Sequence, residues 1–415
     1  MGRFGNILRI GTLAGLITLM PSCEKEKPYE LPNFKFISEK TIRNNLDLPT
    51  GLSSGNHLKK AGSKNTKGTA AEVSGVFIEA PIFLNFHSNG GIQLSQNPKI
   101  SEYSGTLGSL STSSLGEIDL TNYQSDFDSP AYYAMADSLW KAHGLTLDAL
   151  VLSDGTMLSS SNSSDKIFKR NSFGEIEIFL QNKDLERITD MVEGSDGKIY
   201  AVQAPLFDDN SNLIYPKRVI SIENGIIKTE FELPSAINPN FSMNLEDIVP
   251  YWWKDGSLLY KLKIIENSVE GKKRFGTEFY VSDQLENVIY KVDSEKRVSV
   301  LAKDISFPSS LAVDSIGNVF YTTTPLFRGI TFSHKVSLDV LNPETSEHTS
   351  LHKFDESIKD YSVYGGKAYF TYTSLQYSTS VGHNVTNVLY ESKDKLEFLI
   401  TNSLQGTLKY VTLEK

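Results

Sequence analysis

The chain has 415 residues, 39% of them hydrophobic and 11% aromatic, and a formal net charge of −9. It is too apolar for a disordered chain, and the body of the sequence holds no dense Lys/Arg run, which argues against nucleic acid as a partner. A single cysteine, Cys23, excludes an internal disulfide and a CxxC metal site.

The first residues read as an address. Arg3 and Arg9 flank the start of an apolar run from Ile10 to Met20, which closes on Leu19-Met20-Pro21-Ser22-Cys23. A positive start, a short apolar middle and a small-residue exit make residues 1–22 a secretory signal, and the apolar run is too short to cross a bilayer. A cysteine directly after that exit resembles the lipobox of bacterial lipoproteins. The resemblance implies that Cys23 is the lipidated first residue of the mature chain. Glu24-Lys25-Glu26-Lys27 is similar to the surface-export tags of Bacteroidetes lipoproteins, so the expected address is the outer membrane, on its periplasmic face or at the cell surface. Residues 23–74 are polar and patternless and read as a flexible tether. Gly51-Leu52-Ser53-Ser54-Gly55 matches the GxSxG elbow of hydrolases but lacks the buried strand before it and the helix after it that the elbow needs.

The folded domain is expected over residues 75–415, starting at the strand-rich run Val76–Phe86. Residues 87–125 give no readable pattern. Ser129 as N-cap, Pro130 at the first helical position and Gly144 at the end predict one accessory helix over 129–144. Its apolar face is Tyr132, Met135, Ala136, Leu139 and Trp140. Beyond it a hairpin phrase recurs at Leu147–Ser159, Ile188–Val202, Leu245–Leu262, Pro308–Thr323 and Ile358–Tyr372, with turn glycines Gly155, Gly197, Gly256, Gly317 and Gly366. A second hairpin follows each, starting at Asp165, Lys217, Asn287, His334 and Asn387.

Four strands per repeat is one blade, so the fold class is all-β, a β-propeller of four-stranded blades, six in number with seven as the alternative. Five units are visible. Strands from Val76–Leu120 and the last strand, Gly406–Leu413, are expected to complete the sixth, because an open ring would leave sheet edges unpaired. Pro308, Ala312-Val313-Asp314 and Gly317-Asn318-Val319 resemble the NHL-type repeats of six-bladed propellers and their TolB-like relatives, over roughly Asp148–Thr401. Such propellers host binders, scaffolds, lactonases and lyases, so the resemblance implies fold more than activity.

Two sets of residues could carry function. Asp148, Asp190, Asp247 and Asp360 stand at matching places before their turn glycines, at the mouth of the innermost strands. Carboxylates converging there could hold Ca²⁺; the competing reading is that each ties its own blade junction by bonding backbone N–H groups. The lactonase relatives hold one channel metal with Glu, Asn and Asp, and only the Asp set is placed here. Long links from second to third strand, at 204–215, 264–278, 324–333 and 374–386, crowd one face. There Phe207, Tyr215, Trp252, Trp253, Phe327, Phe332 and Tyr377 could offer aromatic surface to a glycan or peptide, or pack under their loops. None of the seven His shows metal-ligand spacing. The expected function is a monomeric, lipid-anchored, non-catalytic binding module. The alternatives are a metal-dependent lactonase-like hydrolase or lyase, and a scaffold for envelope proteins.

Overall fold

The computed structural model of the protein describes residues 29–43, 51–54, 72–80, 83–86, 92–96, 99–106, 109–117, 148–154, 156–160, 165–170, 176–207, 213–234, 262–284, 286–305, 308–323, 327–328, 331–332, 337–354, 383–385, 390–402 and 407–415. Among them stand six antiparallel sheets of four or five strands, here A to F. Sheet A is Gly51–Ser54, Glu72–Ala80, Lys99–Thr106 and Ser109–Glu117. B is Asp148–Val151, Met157–Ser160, Lys166–Arg170 and Ile176–Gln181. C is Ile188–Glu193, Ile199–Gln203, Arg218–Glu223 and Ile226–Glu232. D is Leu262–Glu266, Thr277–Asp283, Val288–Asp293 and Val298–Lys303. E is Pro308–Val313, Val319–Thr323, Ser337–Leu341 and His348–Lys353. In F, the short strands His383–Val385 and Tyr390–Glu391 lie on one side of Lys395–Asn402, and Thr407–Glu414 and Lys35–Arg43 follow on the other. The first strand of each sheet touches the first strand of the next, and His383–Val385 touches Gly51–Ser54, so the inner strands are neighbours in cyclic order.

Where side chains are described, the sheets bury both faces. In sheet E, Val319 and Tyr321 enter the core shared with Ile265, Tyr280 and Ile289 of D. The intervening Phe320 enters the core shared with Leu396, Phe398 and Val411 of F. Sheet C divides likewise, with Ile199 and Ala201 toward B and Tyr200 and Val202 toward D. Successive residues of a strand point to opposite faces, so a strand with a neighbour on each side reads as a continuous apolar run. Each large side chain so buried contributes about 1.5–3 kcal/mol.

A polar clamp repeats at one end of the junctions. In the first turn of B, the Ser153 backbone N–H and hydroxyl donate to Glu193, the last residue of the first strand of C, at 2.6 and 2.8 Å. Ser195 grips Glu266 of D in the same way at 2.7 and 2.7 Å, and Ser315 grips Glu391 of F at 2.8 and 2.7 Å. Between D and E the clamp is replaced. There the link Asn267–Gly276 carries a short helix, Val269–Phe275, N-capped by Ser268 and ended by Gly276 in the left-handed conformation. It packs against the first turn of E so closely that a Cβ on Gly271 would lie 2.7 Å from the Gly317 Cα.

Four expectations change. Residues 23–74 do not all form a tether, for Lys35–Arg43 pairs with Thr407–Glu414 along its length and Gly51–Ser54 starts sheet A. Sheet F is therefore completed from residues 35–43, whereas the strands expected from Val76–Leu120 build a sheet of their own. An outermost strand has one buried side, which is why KFISEKTIR looks too polar to fold. The inner hairpin of the third unit is not Leu245–Leu262 but Leu262–Glu266 with Thr277–Asp283, its turn lengthened by the helix. The pair starting at Asn387, expected outermost in its unit, lies innermost in F. The helix expected over 129–144 and the hairpin Ile358–Tyr372 lie outside the described residues.

The closing strand is pinned by side chains as well. Glu39 bonds His352 Nε2 at 2.9 Å on the outer strand of E and Lys409 Nζ at 2.8 Å on its own partner strand. Phe36 stacks on the His352 ring at 3.8 Å. Burial alone would raise the Glu39 carboxyl, but Lys409 and His352 hold it below the ordinary range. Its contribution is thus complete above the unfolded-state value of about 4.3 and fades as pH falls through the lower folded-state value. The stability gap between native and Glu39→Gln protein, read by urea unfolding, is expected to be widest above about pH 5 and to close toward about pH 3. Glu266→Ala, which leaves both Ser195 donors without their acceptor, is expected to cost about 2 kcal/mol in the same assay. Ser195→Ala should cost less, since its backbone N–H still bonds.

Candidate functional site on the loop face

In each sheet the first strand starts, the second ends and the fourth ends on one face, so second-to-third links and sheet-to-sheet links emerge together there. Three of those links fold into two-stranded ribbons: Phe83–Phe86 with Ile92–Gln96 in sheet A, Leu206–Phe207 with Leu213–Tyr215 in C, and Phe327–Arg328 with Thr331–Phe332 in E. B, D and F pass from second to third strand by short links. The link 264–278, expected on this face, is instead the first-to-second link of D and emerges on the opposite one.

The ribbon of C has a built base. Gln203 is fully buried; its amide donates to the Asp184 and Glu186 carbonyls at 2.7 and 2.6 Å, and its Oε1 accepts from Arg218 Nε at 2.8 Å. The Arg218 guanidinium lies 3.9 Å over the Tyr215 ring, and the Tyr215 hydroxyl donates to the Glu186 carbonyl at 2.7 Å. Burial pushes the Tyr215 phenol well above its ordinary range despite Arg218. Toward the tip the character reverses: Leu213 and Ile214 are 54% and 59% exposed.

Beside it lies a buried ion cluster. Lys217 Nζ stands 2.7 Å from Asp283 and 2.7 Å from Glu286, and the Tyr290 hydroxyl donates to Glu286 at 2.9 Å. Burial raises the Asp283 carboxyl, with Lys217 opposing. Lys217 stands just before the third strand of C and Asp283 ends the second strand of D, so the cluster sutures the two sheets under the loops.

The mouth of the inner strands is mixed in charge. Asp190 spends one oxygen on the Ile264 N–H at 2.7 Å and the other on Lys263 Nζ at 2.7 Å, both from the next sheet. Lys263 precedes its clamp glutamate, Glu266, as Asp190 precedes Glu193, so the matching residue in D is a lysine. Sheet E has Ser310 there, bonded to Thr322 at 2.8 Å. The third carboxylate of the expected ring, Asp247, falls outside the described residues, as does Asp360. Asp148 is the first residue of its strand, opposite Ser160. Asp190 is thus held by an ammonium and a backbone N–H, and among the described residues no group of three or more His, Cys, Asp or Glu could hold a metal.

Of the aromatic candidates, Tyr215 packs under its loop, 8% exposed. Phe207 pairs with Leu213 in register and Phe327 with Phe332, which places all three phenylalanines on ribbons. Cys23, Trp252, Trp253 and Tyr377 lie outside the described residues. Sequence reading missed Gln203, Arg218 and Lys263. The first two are signalled only by polarity at a strand end, and the third was hidden by the shifted register of D.

Radial four-stranded sheets with both faces buried and their inner strands in cyclic order define a β-propeller. No family model matches the chain, and no curated protein does. Among solved structures it is similar to a protein of unknown function from Dyadobacter fermentans, at 10% identity over 92% of this chain and 100% of that one with a TM-score of 0.48. It is also similar to virginiamycin B lyase from Staphylococcus aureus, at 11% identity over 92% and 99% with a TM-score of 0.40. A third is a putative gluconolactonase, at 9% identity over 92% and 92% with a TM-score of 0.43. At such identities the likeness concerns fold, not activity.

Lys263→Met strands the Asp190 carboxylate with one backbone donor and is expected to destabilise the domain by about 3 kcal/mol. Adding Asp190→Asn should recover part of that loss, as a double-mutant cycle by urea unfolding would read.

Proposed function

We propose that this protein is a lipid-anchored propeller of the outer membrane, with six blades, that binds a glycan or peptide on its loop face without transforming it. One observation carries the reading: three ribbons project from one face of a rigid frame, while the ionisable groups described where C meets D at that end are tied to one another. Asp190 is held by Lys263, and Asp283 and Glu286 by Lys217. Loops on a rigid frame are a usual place for recognition, and carboxylates already paired are poorly placed to take or give protons.

The anchor part of the proposal rests on Cys23 at the end of its signal-like segment. With Lys35–Arg43 closing sheet F, the stretch from Cys23 to the folded domain is short. Fully extended it reaches about 40 Å, so the propeller would ride close to the lipid surface. Cys23→Ser is expected to abolish incorporation of labelled fatty acid and to release the protein from membranes. Continued membrane fractionation with undiminished label would contradict the anchor. For binding, thermal-shift screening of the soluble mature chain against oligosaccharides, peptides and metals is expected to give a ligand whose stabilisation is lost on deleting residues 207–213. A ligand insensitive to that deletion would move the site off the loop face.

A further inference from the structure

The ribbons occur in alternate sheets, A, C and E, and each is entered through a near-identical tetrapeptide: Ala80-Pro81-Ile82-Phe83, Ala204-Pro205-Leu206-Phe207 and Thr324-Pro325-Leu326-Phe327. In all three the tetrapeptide falls at the end of the second strand. Proline cannot donate to the ladder, so it stops the blade strand, and the chain leaves the sheet to form a ribbon. The long sheet-to-sheet connections follow the same three sheets, after Glu117, Glu232 and Lys353, whereas B and D pass on within a few residues. The repeating unit of the loop face is therefore a pair of blades, written three times.

We infer that this face carries one binding element in triplicate and that its ligand is an extended polypeptide, which adds its main chain to a ribbon edge. The inference rests on the loop-face reading above and chooses between its two ligand classes. Each ribbon is a sheet of two strands among the described residues, so each strand has one paired side, and unpaired N–H and C=O rows are templates for another strand. The ribbon of C offers no aromatic platform from Tyr215, whose ring lies under Arg218 and whose hydroxyl is spent on Glu186. Among its described side chains, those exposed are aliphatic, Leu213 and Ile214. These are consecutive residues of a strand and so point to opposite faces, which leaves both faces of the ribbon open at that level.

The test uses the soluble mature chain, a phage-displayed random peptide library and an oligosaccharide array. The double variant Leu213→Asp with Ile214→Asp alters exposed side chains and should keep the native melting temperature. Selected peptides are expected to lose about tenfold or more in affinity for it. N-methylation of alternate peptide bonds in one register should abolish binding, and in the other register leave it intact. Leu84→Asp and Phe332→Asp should each weaken binding too; an effect confined to one ribbon overturns the triplicate element. Peptides indifferent to N-methylation, or no peptide retained, overturn strand addition. Oligosaccharide binding that disappears with Leu213→Asp and Ile214→Asp overturns the peptide inference but keeps the loop-face reading. Ligands insensitive to every ribbon variant sink both.

Discussion

Closure of the ring is the constraint on which the rest depends. Lys35–Arg43 supplies the outer strand of a sheet whose other strands come from the opposite end of the chain. Phe34 follows it into the core between E and F, against Ala312, Phe320 and Phe398. Without that strand Thr407–Glu414 would be an open edge, and the apolar faces of E and F would lose a covering layer. Ladder hydrogen bonds and charged contacts share the seam. Their register, the buried Lys409 and the Glu39–His352 contact act together because all are satisfied by the same strand.

Within the closed ring the polar groups are sorted by height. At the end with the first turns, serine–glutamate clamps lock neighbouring sheets. In the middle the sheets meet through apolar cores. At the loop end Asp190 with Lys263 and Lys217 with Asp283 and Glu286 cross from C to D. Buried ion pairs of this kind add little net stability compared with apolar packing, but they penalise any other alignment of the two sheets. They therefore fix where the ribbons stand. Gln203 and Arg218 do the same for the ribbon of C by seating it on the link from B.

Much of the frame was legible because its signals are local. Sheets B, C and E follow the hairpin phrases, since a turn such as Asp314–Gly317 needs the positive φ of 94° that glycine supplies. Sheet D escaped because its first turn is a helix: the phrase that looked like a hairpin ended where the true first strand begins. Lys263 was lost with that register. The closing strand escaped for another reason. One-sided burial gives an outer strand half the apolar residues of an inner one, and its partner lies at the far end of the chain, so no local pattern announces it.

That distance has a kinetic consequence. The first strand of the domain to be made must wait for the last, and joining ends about 370 residues apart carries a loop entropy cost of about 5 kcal/mol. Nascent chains therefore hold Phe34, Phe36 and the face of sheet E that meets F uncovered until Glu414 emerges, a window in which a holdase has something to grip. A product cut short by even its final strand would remain in that unsealed form, which gives a protease a simple criterion for telling finished molecules from fragments.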